Sequence, residues 1–213
     1  MKNILIVGLL IAVVGTAFGS VMPVSAKAMS VSGAYLSASE QDDLIFMREE
    51  EKLAHDVYVT LYSTWGLPVF QNIANREATH TAAVKLLLDR YGIADPTAGK
   101  GFGEFTNPDL QKLYDQLVAQ GSKSLVDALK VGAAIEEIDI LDLQTRIART
   151  TNADIKLVYN NLLRGSENHL RAFTSTLQKQ TGETYAPQYL DATIYNSIVG
   201  TSNPRGGWRR GNR

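Results

Sequence analysis

The sequence predicts an all-α protein: an antiparallel four-helix bundle of two helical hairpins, joined by a long crossover that holds a short helix of its own. Three observations predict it. After residue 26 apolar residues recur with helical periodicity, and no stretch shows convincing alternation with period two. The breaks "STWGLP" and "RTTN" are short, so the helices on either side of each are antiparallel neighbours. A Gly-rich connector, "TAGKGFGEFT", followed by "NPDLQKLYDQLVAQG", separates the two hairpins and is long enough for a crossover.

At 213 residues the chain suffices for one substantial domain. The formal net charge is -1, which gives no global reason to expect a nucleic-acid partner. Cysteine is absent, excluding disulfides, thiolate metal sites and a cysteine nucleophile. A bound metal must therefore use carboxylates and imidazoles, a donor set that favours iron, manganese or zinc over copper(I).

The elements follow in order. Residues 1–26 carry one lysine, then an uncharged apolar run ending in the small-residue pattern "VSA". They read as a signal peptide with the mature start at Lys27, or as an N-terminal anchor. Either reading places the domain outside the cytoplasmic membrane. Residues 27–38 read as a flexible linker and residues 39–182 as the bundle. Ser39 can cap the first helix, which turns Phe46, Met47, Leu53, Ala54, Val57 and Leu61 inward. Pro68 suits the first turn of the second, lined by Ile73, Ala74, Val84, Leu87 and Leu88 and ended by Gly92. Asn107 caps the crossover helix, with Pro108 at its first position and Gly121 at its end. Ser124 and Asp127 resemble a capping box before the helix carrying Leu125, Leu129, Ile140 and Leu143. Asn152 can cap the last long helix, lined by Ile155, Val158, Leu162, Leu170, Phe173 and Leu177. Residues 183–200 read as a short C-terminal helical segment and residues 201–213 as a disordered basic tail. The N-terminus and this tail are the candidate membrane-surface contacts.

Each long helix also places an ionisable group on a stripe that otherwise reads as core. Glu50 falls in line with Phe46, Leu53, Ala54 and Val57, while Glu49 and Glu51 point away. Glu77 and His80 share the face of Ile73, Val84 and Leu87, as residues three apart do on a helix. Glu136 shares a face with Leu129 and Ile140, Asp139 sits at its edge, and Glu137 turns to solvent. Ser166 and His169 lie in line with Leu162 and Phe173. His55 reads as a surface residue, and Tyr58 and Tyr159 as core aromatics.

Height along the bundle tests this pattern separately. The midpoint between Glu50 and the Glu77–His80 pair falls in the first turn, and that between Glu136 and Ser166–His169 falls in the second. Both hairpins thus bring their polar groups level, roughly 20 Å from the turns at about 1.5 Å per residue. Four buried carboxylates would repel one another, and each would cost several kcal/mol uncompensated, so they must protonate or find a cation. Two divalent metals offset four charges. Glu50, Glu77, Glu136 and Asp139 with His80 and His169 form the expected ligand set.

These strings carry a resemblance. "LIFMREEEKLAHDVY", "WGLPVFQNIANREATH", "GEFTNPDLQKLYDQLVAQG", "IEEIDILDLQ" and "NLLRGSENHLRAF" are similar to the family called domain of unknown function 2202, over about residues 40–190. The pattern of one Glu and one Glu-x-x-His per half resembles the wider ferritin-like superfamily, including its rubrerythrin-like members. That resemblance implies a ferritin-like bundle with a di-iron or di-manganese centre, zinc being a further option, that reacts with oxygen or peroxide. Glu50, Glu77, His80, Glu136 and His169 match its motif positions. Ser166 departs from it, standing where a glutamate is expected, and Asp139 resembles the extra carboxylate of rubrerythrin-like members. If active, the protein is a metal-dependent oxidoreductase. The alternative is a non-catalytic interaction or envelope-structural module that keeps the scaffold, a reading that Ser166 favours.

Overall fold

Ser37, not Ser39, starts the first helix. In a computed structural model that describes residues 36–200, Ser37 Oγ accepts the Glu40 N–H at 3.2 Å, and the Glu40 carboxylate accepts the Ser37 N–H at 2.9 Å. This reciprocal box requires a glutamate three residues after the serine, which Ser37 has and Ser39 lacks. The expectations for residues 1–26, for 27–35 and for 201–213 lie outside the described residues.

Six helices and no strands occur among the described residues: α1 (Ala38–Trp65), α2 (Pro68–Tyr91), α3 (Pro108–Gly121), α4 (Leu125–Arg149), α5 (Ala153–Thr181) and α6 (Ala192–Gly200). Gly66 closes α1 at φ 62°, a left-handed conformation that glycine adopts without a Cβ penalty. Pro68 then opens α2 at once. Asn107 and Ser124 cap α3 and α4 with their side chains as expected. Asn152 stands at the N-cap of α5 but makes no capping bond with its side chain. Its amide reaches Glu40 Oε1 at 2.7 Å instead.

The most extensive packing is α1 on α2 and α4 on α5, with α2–α5 and α1–α4 contacts joining the pairs into a helical bundle. Helix α3 packs on α1 and α4, and α6 packs on α5. Buried carboxylates hold the connections down. Glu49 accepts the backbone N–H groups of Thr106 and Asn107 at the start of α3. Asp56 accepts the Gly103 N–H at 2.9 Å and pairs with Lys52 and His55. Glu137, expected to face solvent, is fully buried and accepts the N–H groups of Gln188, Tyr189 and Leu190. A carboxylate with several such donors is satisfied without a counter-ion.

The apolar interior falls into two clusters. One gathers Tyr58, Leu61, Phe70, Leu129, Phe173 and their neighbours towards the α1–α2 turn. The other gathers Leu44, Met47, Val84, Leu88, Leu143 and Tyr159 towards the α4–α5 turn. Between them, on all four long helices, lies a band of polar side chains.

Glu40 ties the start of α1 to the α4–α5 turn, because its Oε1 also accepts from Thr150 Oγ1 at 2.6 Å. Burial raises its pKa, but these hydrogen bonds outweigh that and hold it at about 2. Its contribution is therefore complete above the unfolded carboxylate value and is lost as pH falls towards 2. Glu40→Gln should destabilise the chain by about 1–3 kcal/mol at pH 7. In urea melts the gap between variant and parent should narrow at pH 3; an equal gap at both pH values would remove Glu40 as its source.

Candidate metal centre

Within the polar band, α1 presents Glu51 rather than Glu50. Glu40, Leu44, Met47, Glu51, Ala54, Tyr58 and Leu61 alternate steps of four and three, the spacing of a helix seam, and all are buried. The expectation that Glu51 points away is thus corrected. Helix α1 is covered by α2, α3 and α4, so its buried surface is wider than one stripe. Glu50 is also buried, but it faces Asp142 and Arg146 on the α1–α4 side.

Helix α2 supplies the centre of the arrangement. Glu77 is fully buried and gives one oxygen to each imidazole: Oε2 lies 2.8 Å from His80 Nδ1 and Oε1 lies 2.7 Å from His169 Nδ1. Glu51 Oε2 stands 3.2 Å from His80 Nδ1, and Glu136 Oε2 stands 3.5 Å from His169 Nδ1. Two triads result, Glu51–Glu77–His80 and Glu77–Glu136–His169, each with its ligand atoms within 4.8 Å of one another. Glu77 belongs to both. The two imidazole rings are near-parallel, with centroids 5.5 Å apart.

Of these short distances only that between His80 Nδ1 and Glu51 Oε2 is a hydrogen bond. Glu51 Oε1, both oxygens of Glu77, Glu136 Oε2 and His169 Nδ1 are buried without a hydrogen-bond partner. Buried polar atoms are nearly always paired, so five orphans in one place call for a further occupant. The ligand atoms of each triad lie close enough together to share one cation. The carboxylate–imidazole donor set suits iron, manganese or zinc, so the residues fit a metal pair. Tyr58 orients one ligand from behind, donating to Glu136 Oε1 at 2.6 Å and leaving Oε2 for the centre.

The protonation state without a metal follows from the same crowding. Burial disfavours the charged imidazoles, but the carboxylates beside them outweigh it and lift His80 to about 11 and His169 to about 10. Burial raises Glu51 to about 8, with the Glu77 charge assisting and His80 opposing. Burial also pushes Glu77 upward, yet the two imidazolium neighbours more than reverse it and hold it well below the usual carboxylate range. Protons thus balance the charge that metal ions would otherwise balance.

Of the sequence-predicted ligands, Glu77, His80, Glu136 and His169 come together in the triads. Asp139 belongs to neither triad. It is fully buried, with Oδ2 unpaired, and burial together with Glu50, Glu51, Glu136 and Glu77 drives its pKa well above normal. Glu50 also belongs to neither; with Asp139 and Leu113 of α3 it lines a small cavity. Ser166 is buried but donates to Leu162 O at 3.2 Å, within its own helix. His55 pairs with Asp56 outside the band. Glu51 is the residue that sequence reasoning missed; spacing did not single it out, because Asp43, Met47, Glu50, Ala54, Val57 and Leu61 alternate in the same steps and are also buried.

An all-helical bundle with paired carboxylate–imidazole triads defines a class of candidate metal-binding proteins. Residues 40–202 match an uncharacterized protein domain family, DUF2202, and the chain belongs to it. It is 52% identical over 171 residues to the uncharacterized protein MJ0754 of Methanocaldococcus jannaschii, covering 80% of this chain and 92% of that one. The crystal structure of hypothetical protein MJ0754 from the same archaeon superposes with a TM-score of 0.78 at 50% identity, covering 82% of this chain and 99% of that one.

Glu50 and Glu51 are adjacent, equally acidic and both buried, so paired variants separate them. Glu51→Gln should weaken metal binding by about 10–100-fold, whereas Glu50→Gln should leave it within about threefold. Calorimetric titration with ferrous or zinc ion measures both, and equal losses would show that Glu51 is not the ligand that α1 supplies.

Proposed function

We propose that the chain is an exported ferritin-like metal-binding protein whose two triads hold a pair of iron ions, with manganese or zinc as alternatives, and which reacts with oxygen or peroxide. In this reading α1, α2, α4 and α5 are the four helices of a ferritin-like bundle. The observation that carries it is the position of Glu77, which offers one unpaired oxygen to each triad. Iron or manganese held there would supply one-electron exchange with a small oxidant.

The chain's own residues then have distinct tasks. Glu51 and His80 hold one position, Glu136 and His169 hold the other, and Glu77 spans them. Tyr58 keeps Glu136 in register. Ser166 leaves the α5 side without a carboxylate, which in this reading leaves room for a small oxidant. The imidazoles must give up their protons to bind metal, so loading releases protons and weakens as pH falls. Export through residues 1–26 belongs to the same reading; a secreted or envelope-bound chain beginning at Lys27 is the expected product, and a cytoplasmic chain retaining Met1 would oppose it.

A second reading, a scaffold without chemistry, draws on Ser166, whose hydroxyl serves its own helix. Elemental analysis of the chain expressed with iron, manganese and zinc in competition separates the two. The proposal expects about two ions per chain, a melting temperature lowered by chelator, proton release on reloading and consumption of added peroxide. Glu77→Ala should abolish all four. Metal-free protein whose melting ignores chelator would favour the scaffold.

A further inference from the structure

We propose that Gly165 is a positioning residue for His80: the absence of a side chain on α5 at that point sets where the imidazole nitrogen of one triad stands. This inference rests on the metal-pair reading above. Gly165 lies inside a helix, and its backbone conformation is not one of those reserved for glycine, since positive φ occurs elsewhere. Conformational freedom therefore does not explain it. Space does. A Cβ on residue 165 would stand 2.5 Å from both Cε1 and Nε2 of the His80 ring.

The ring is thus held from two sides. Its Nδ1 faces Glu77 Oε2 at 2.8 Å and Glu51 Oε2 at 3.2 Å, while its far edge lies against the α5 backbone. The carboxylates select the nitrogen that points inward, and the contact with α5 limits where the ring stands. With a methyl at 165 the ring must retreat by about 1 Å to regain an ordinary van der Waals separation. Metal–ligand distances tolerate only about 0.2 Å, so that retreat removes His80 from its triad. The other triad, Glu77–Glu136–His169, keeps every donor. Gly132 makes the same kind of room on α4, but for the Phe173 ring in the apolar cluster.

Gly165→Ala should therefore lower the metal content from about two ions per chain to about one, with the lost position weakened about 10–100-fold. His80→Ala should lose the same ion, and the double variant should bind no worse than His80→Ala alone. A Gly165→Ala chain that holds as much zinc or iron as its parent, or losses that add in the double variant, would overturn the assignment. Melting of the metal-free proteins reads the contact without any metal. Alanine at 165 should lower the melting temperature in the parent and raise it in the His80→Ala background, because only its better helix propensity then remains. The same sign in both backgrounds would overturn the contact. If Gly165→Ala fails to fold, His80→Ala must restore folding, and failure to do so counts equally against it. A parent chain that takes up no metal would instead defeat the metal-pair reading, leaving the melting comparison to decide the contact.

Discussion

Charge confined between two apolar clusters governs this molecule. Glu51, Glu77 and Glu136 are each fully buried, and two imidazoles lie among them. Ionised groups in such surroundings must be balanced where they stand, by protons or by cations, because water is too far away to solvate them. The arrangement balances itself through one residue. Glu77 sits between His80 and His169 and stays ionised, while Glu51 and Asp139 are driven towards their neutral forms. Tyr58 on α1 holds Glu136 by a hydrogen bond, and the bare backbone at Gly165 on α5 leaves room for the His80 ring.

Buried acid is common in this chain, and most of it is structural. Glu40, Glu49, Asp56 and Glu137 are each surrounded by hydrogen-bond donors, mainly backbone N–H groups of the turns and connections they pin. Their oxygens are satisfied, so they require no further partner. The polar band differs in kind: its oxygens face one another and leave atoms unpaired. Satisfaction separates these four acids from the polar band, and proximity to an imidazole then separates the triads from Glu50 and Asp139, which also keep an unpaired oxygen.

Much of this was legible from local chemistry. The glycine at 66, the prolines at 68 and 108 and the caps at 107 and 124 mark helix ends through backbone conformations and hydrogen bonds made within a few residues. Level placement of Glu77, His80, Glu136 and His169 followed from the turns and the constant helical rise. The choice between Glu50 and Glu51 was not legible in that way. A helix packed on three sides has no single apolar stripe, and the stripe through Phe46, Leu53 and Val57 selected Glu50. Glu49 and Glu137 were equally hidden, because their partners, at Thr106–Asn107 and Gln188–Leu190, lie more than fifty residues away.

The amino-acid sequence by itself determined where helices begin, turn and end, and therefore at what height each ionisable group would sit. Those are short-range matters of propensity, capping and rise per residue. Which carboxylates meet, which ones are silenced by backbone N–H groups, and which nitrogen of His80 faces inward were decided only by the tertiary structure. Each depends on the rotation of one helix against another and on space between them, and neither quantity is encoded in any single stretch of chain.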